Sequence, residues 1–411
     1  MIMLRAALAE QWQRRIAAAG ACALLGMFVA ATGERLPALF SAAALGTGIL
    51  GASLLLAWAI DAAEVDLSGR LVIMMVALVA ALPELTVEVH LAFTQQAQFV
   101  TANITGATRL LLTAAIAMPP LGAVLLRSRG ESTPPVVLNP ARRLDLAVLL
   151  VAALWALIVV ARGRLTLIDG LIFGALYLLY ALRGRDTDEE QPAPIGVAAE
   201  IASLDTTSRR RLCGALFVLA ALAVVVTSRA FPGELLRAGQ SLGIDPYLLI
   251  QWVIPLFTET PELVVAGALV LSRRPAQGVA LLLASSVIQS TLVLASISVA
   301  FLLGGGGSVL PLSGRERVEM MLTAATALMA VATMASLKPE RVDGGIVAAA
   351  FGIQAVFPSW PVRLFVAWAL LVFAINVLLS KRQFLRPIAA TLRPNFSYGH
   401  GLGSRRRRAT R

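Results

Sequence analysis

The stretch "PLFTETPELVVAGALVLSRR", residues 255–274, places Glu259 and Glu262 in an apolar run long enough to cross a bilayer, with Pro261 between them. A second stretch, "VALVAALPELTVEVHLAF" at 76–93, does the same with Pro83, Glu84 and Glu88. A carboxylate at mid-membrane depth costs at least about 2.5 kcal/mol on insertion scales, so four of them in two such runs point to function rather than accident. The prolines add to this. Each removes an amide donor and clashes with the preceding turn, which frees carbonyl oxygens at the depth of the carboxylates.

Composition supports the membrane reading. Of 411 residues, 58% are hydrophobic and 14% charged, mean hydropathy is +0.79, and a soluble domain carries about 25% charge. The expected fold is an all-α integral membrane protein of about 12 transmembrane helices. Apolar runs place them at 15–32, 36–60, 70–94, 99–126, 144–162, 166–183, 212–232, 247–271, 277–303, 318–336, 342–357 and 361–380. With the N-terminus inside, 26 of the 35 basic residues fall in cytoplasmic segments, 8 in outer segments including Arg363, and Arg109 lies within a helix. That asymmetry predicts an even number of spans with both termini cytoplasmic.

The net charge of +11 therefore calls for membrane lipid, not nucleic acid, as the partner of tails such as "SRRRRATR" (404–411). Cys22 and Cys213 are isolated packing residues, and the N-terminal apolar segment is expected to be retained as a helix. The dominance of Arg over Lys and the abundance of Ala fit a GC-rich bacterial genome, hence the bacterial inner (cell) membrane. The run "GGGGS" (304–308) lacks the Lys and the strand-to-helix setting of a phosphate-binding loop.

The chain divides at the polar segment 184–211, read as a cytoplasmic linker. Sliding one half along the other by 178 places Pro83-Glu84-Leu85 on Pro261-Glu262-Leu263, and Leu78, Val87, Leu91, Ala102 and Thr113 also meet identical residues. By the expected topology the two segments run in opposite directions. The organisation predicted is an N-terminal tail and extra helix (1–35), a first inverted five-helix repeat (36–183), the linker, a second repeat (212–357), and an extra helix with a basic tail (358–411). Inverted repeats with Pro-interrupted helices at mid-membrane are characteristic of secondary transporters.

These segments resemble the alpha repeats of the cation/calcium exchanger superfamily, which includes the sodium/calcium exchangers. There each repeat has a helix with a Gly-Thr-Ser-x-Pro-Glu pattern followed by one with Gly-Ser-Asn-x-x-Asn. The stretch "RLTLIDGLIFGALYLLYAL" (164–182) is similar to the helix that closes the first half in that family. The resemblance implies ten core helices and alternating access, with Glu84 and Glu262 as central cation ligands. Thr258 matches the motif Thr, Glu259 replaces its Ser, Ser285 matches a motif Ser, Gln289 replaces a terminal Asn or Asp, and Asn103 falls on an early Asn. The first repeat departs further, with Ala80, Ala81, Ala107 and Leu111 at positions where the family has polar residues.

Calcium and sodium take oxygen ligands, six to eight for calcium, and Glu84, Glu88, Asn103, Thr258, Glu259, Glu262, Ser285 and Gln289 can supply them. Arg109, some ten residues into its helix, needs a counter-charge, for which Glu84 or Glu88 is the expected partner; the pair is either purely structural or makes Arg109 a modulator of the site. His90 is read as packing or pore lining, although a histidine there can shuttle protons. The functional expectation is an antiporter exchanging calcium or another cation for sodium or protons, without a cofactor. The alternatives are a purely proton-coupled exchanger or a degenerate relative that no longer transports. An intramembrane enzyme would need an Asp-rich or catalytic motif near a membrane face, and none occurs.

Overall fold

A computed structural model describes residues 2–32, 36–66, 81–128, 130–131, 134–184 and 194–393, with the side chains of 2–10 and 341 excepted. The first part of the expected span 70–94, part of the linker (185–193) and the basic tail 404–411 lie outside these residues. The helices are α1 (Ile2–Thr32), α2 (Ala38–Ala63), α3 (Leu82–Phe93), α4 (Ala97–Ser128), α5 (Arg143–Arg162), α6 (Leu167–Arg183), α7 (Val197–Ala202), α8 (Thr206–Leu242), α9 (Pro246–Thr258), α10 (Thr260–Leu271), α11 (Pro275–Ile288), α12 (Leu294–Phe301), α13 (Gly314–Met334), α14 (Arg341–Val356), α15 (Trp360–Ser380) and α16 (Arg382–Ala390). Among the described residues, eight helices are long and apolar enough to cross a membrane, or nine if the bent pair α9 and α10 counts as one span.

Two compact units are present, and each draws on both halves of the sequence. The first comprises Met1–Ala107, Pro192–Val264 and Ser296–Pro311, the second Thr108–Gln191, Val265–Ala295 and Leu312–Arg411. In the first unit α1, α2 and α8 pack together around Leu55, Leu56, Ala59, Ala220, Ala223 and Val224. The polar segment 184–211 is more than a tether. Its second part forms α7, whose Val197, Ala198 and Ile201 join that core, and the start of α8. Asp205 caps α8 by accepting from the amides of Thr207 (3.1 Å) and Ser208 (3.0 Å), and these bonds hold its carboxyl below the usual carboxylate range. Arg209 then bonds Asp66 (Nε–Oδ2 3.0 Å) and the carbonyls of Ala202 and Leu204, because a buried guanidinium must find acceptors for its donors.

In the second unit α13 is the central helix, packed against α5 and α15. Leu322, Ala325, Met329 and Val331 are all shielded from solvent, as expected for a helix apolar on every side. On α15, Phe365 (74% exposed) and Trp368 (54%) point outward, the pattern of a helix whose outer face meets lipid.

Candidate cation site

Both Pro-Glu segments form the first turn of a new helix, not the middle of a continuous one. Proline tolerates an early helical position because its missing N–H would be unpaired there anyway, and a carboxylate is favoured in the first turn by the helix dipole. Pro83 and Glu84 are the second and third residues of α3, and Pro261 and Glu262 hold the same places in α10. Between α9 and α10 the axis bends by 55°, and Glu259 sits at the break with its amide bonded to the Pro255 carbonyl at 2.9 Å. The span expected at 247–271 is thus corrected from one continuous helix to two, with Glu259 and Glu262 on either side of the bend.

The register of the two segments is the same. The starts and the ends of α3 and α10 differ by 178 (260 − 82 and 271 − 93). Each is followed by a residue in left-handed backbone, Gln95 and Arg273 (both φ 63), and α4 and α11 begin at 97 and 275. The offset read from three residues therefore holds for a whole helix, its closing turn and the next helix start.

In the first unit Glu84, Glu259 and Glu262 each offer a carboxylate oxygen, all within 4.8 Å of one another. Two oxygens on one calcium ion, each at 2.3–2.6 Å, lie at most about 5 Å apart, so one ion can touch all three. Glu84 (4% exposed) and Glu259 (1%) are buried, whereas Glu262 is half-buried. Neither oxygen of Glu84 has a hydrogen-bond partner among the described residues, nor does Oε2 of Glu262. Buried acceptors are almost always satisfied, so these mark a place where a ligand belongs. One turn along α3, Glu88 accepts from Asn103 Nδ2 at 2.9 Å. Its Oε2 and the Asn103 Oδ1 have no such partner.

Thr258 is buried and donates to the Ile254 carbonyl at 3.3 Å, which leaves its hydroxyl lone pairs for a cation. Gln251, on the same apolar run, was not singled out from the sequence. It is fully buried and donates to Thr105 Oγ1 at 3.3 Å. The signal lay in its spacing, seven and eight residues before Thr258 and Glu259, two helical turns on one face. Gly106 permits that approach, for a Cβ there would sit 1.9 Å from the Gln251 carbonyl oxygen. We expect Gly106→Ala to lower stability by about 1–3 kcal/mol through overpacking, seen as a lower melting temperature in detergent, with weaker cation binding.

Ser285 and Gln289 belong to the second unit. Ser285 is half-buried, and Gln289 is buried at the head of a π-helical turn, Gln289–Val293, a form of helix frequent at functional sites.

Arg109 does not pair with Glu84 or Glu88. Within the second unit its guanidinium meets Glu319 at 2.7 Å and donates to Gln354 Oε1 at 2.7 Å. Arg363, expected in an outer segment, is buried on the same carboxylate and donates to the Gln354 carbonyl at 3.3 Å. The physical reason is saturation by a partner with free lone pairs. Glu319 has four lone-pair sites, enough for two guanidinium forks.

A family model for sodium/calcium exchanger proteins matches residues 36–183 and 213–380. The chain belongs to this family. Among solved structures, this exchanger-family protein is similar to the H+/Ca2+ exchanger CAX, at 29% identity and a TM-score of 0.86 over 93% of this chain and 98% of that one. It is also similar in fold to native YfkE, at 12% identity and a TM-score of 0.62 over 84% of this chain and 98% of that one. Among curated proteins no match was found. As a member of the family the protein is a multi-pass membrane transporter rather than an enzyme, and it exchanges inorganic cations.

Proposed function

We propose that this family member exchanges calcium for protons by alternating access, with Glu84, Glu259 and Glu262 as its central cation ligands. The observation that carries the reading is the cluster itself, three carboxylates within 4.8 Å and a Glu84 whose oxygens have no hydrogen-bond partner among the described residues. Three ionised carboxylates at that spacing repel strongly in a low dielectric. Either a cation or protons must balance them, and a site that alternates between the two is an exchanger. The likeness to the H+/Ca2+ exchanger CAX over nearly the whole chain supports calcium and protons as the pair.

Glu88 and Asn103 extend the oxygen set on one side, and Thr258 adds a hydroxyl. In this proposal residues 36–183 and 212–357 are the inverted repeats, and the half-helix starts at Leu82 and Thr260 turn their positive dipole ends toward the cation site. Half-helix ends at a central ion site are the usual device of such transporters.

The test is calcium flux into vesicles reconstituted with the pure protein, under a pH gradient or a sodium gradient imposed separately. Uptake driven by the pH gradient alone is expected. Uptake driven only by sodium would replace protons as the coupling ion, and no uptake under either gradient would leave a non-transporting relative.

A further inference from the structure

The carboxylate cluster is not equally closed on all sides, because Glu84 and Glu259 are buried while Glu262 is half-buried. The nearest further acids belong to α2. Asp61 lies within electrostatic reach of Glu262, and Glu64 within reach of Asp61. The two are i,i+3 and share a helix face. Both are half-buried, and neither has a hydrogen bond or ion pair among the described residues. The next acidic residue, Asp66, differs, for it is held by Arg209 at 3.0 Å and Arg210 at 3.5 Å. Both guanidiniums are thus directed to Asp66 and not to Asp61 or Glu64.

An unpaired, half-buried carboxylate inside a membrane helix is costly, and such residues mark ion pathways. We propose that Asp61 and Glu64 form the approach path by which a divalent cation reaches Glu262 and then the buried Glu84, with Asp61 as the last station before the site. This rests on reading the Glu84, Glu259 and Glu262 cluster as the cation site. A negatively lined entrance with low-dielectric walls concentrates cations and accelerates their capture. It acts on arrival and not on the ligands' final hold, so its loss should separate KM from kcat.

The experiment compares Asp61→Asn, Glu64→Gln and Glu84→Gln with the wild type in proteoliposomes, measuring the initial rate of calcium exchange against calcium concentration at low and at high salt. For Asp61→Asn we expect KM to rise about tenfold at low salt, the lower end of electrostatic steering effects, with kcat retained. The rise should shrink at high salt as screening removes the wild type's advantage. Asp61→Glu should restore KM, and Glu64→Gln should show the same effect more weakly. If Glu84→Gln is inert while Asp61→Asn keeps the wild-type KM and salt dependence, the path is wrong and the site stands. Wild-type exchange in Glu84→Gln would instead overturn the site on which the path rests, and a fall in kcat at unchanged KM for Asp61→Asn would make Asp61 a participant in the cycle, not its entrance.

Discussion

Glu84→Gln is expected to abolish calcium exchange and at the same time to raise the thermal stability of the cation-free protein. Glutamine keeps the shape of the side chain and removes one of three negative charges that lie within 4.8 Å. The carboxylate it replaces has no hydrogen-bond partner among the described residues for either oxygen, so the folded state gives up little. Losing a charged ligand interaction of about 3 kcal/mol corresponds to a fall in calcium affinity of about two orders of magnitude. Glu262→Gln should behave alike, since it holds the same place in the second segment. Strain retained for function and relieved by a neutral substitution is a familiar trade-off. Calcium flux and melting temperature in detergent check the two halves of this expectation, and a variant that loses stability together with exchange would make Glu84 a structural residue.

Glu319→Ala should be far more damaging to the fold. It leaves Arg109 and Arg363, both essentially without solvent exposure, deprived of the carboxylate they share, and breaking a buried pair from one side costs about 3–5 kcal/mol. We expect little folded protein at ordinary temperatures. Arg109→Ala should be milder, because Glu319 keeps Arg363. With Glu319 rather than Glu84 or Glu88 as its partner, removing Arg109 should lower the melting temperature without shifting the pH dependence of exchange. A shifted pH profile at unchanged stability would contradict the pairing.

These two cases also show what the chain discloses before it folds. The Pro-Glu-Leu repeat was legible because proline and a buried carboxylate are each rare in an apolar run, and their joint recurrence at one offset is not a matter of average composition. The offset then proved to cover α3, its closing turn and the start of α4, since local sequence sets local backbone. The break before α10 was less legible. Pro261 permits either a kinked helix or a fresh start, and only the bend, with Glu259 at its corner, decides between them.

The Arg109 network was not legible, for reasons of distance and disguise. Glu319 stands 210 residues away, just after Arg315 and Arg317, where it looks like one more charge at a helix end. Arg363 likewise sits at the start of an apolar run and was read as an outer positive charge. Nothing in spacing along the chain reveals that α4, α13 and α15 bring the three together. The general requirement was sound, that a deep arginine needs a buried acid, but the choice among acids is made by packing.

The central claim is that calcium and protons compete for the same three carboxylates. The most direct measurement is proton release, followed with a pH-sensitive dye in weakly buffered detergent solution as calcium is titrated into the pure protein. We expect calcium binding by the wild type to release protons, and Glu84→Gln to bind calcium weakly and release fewer. Calcium binding of undiminished strength with no proton release, in the wild type across the range from mildly acidic to neutral pH, would contradict calcium/proton exchange at this site.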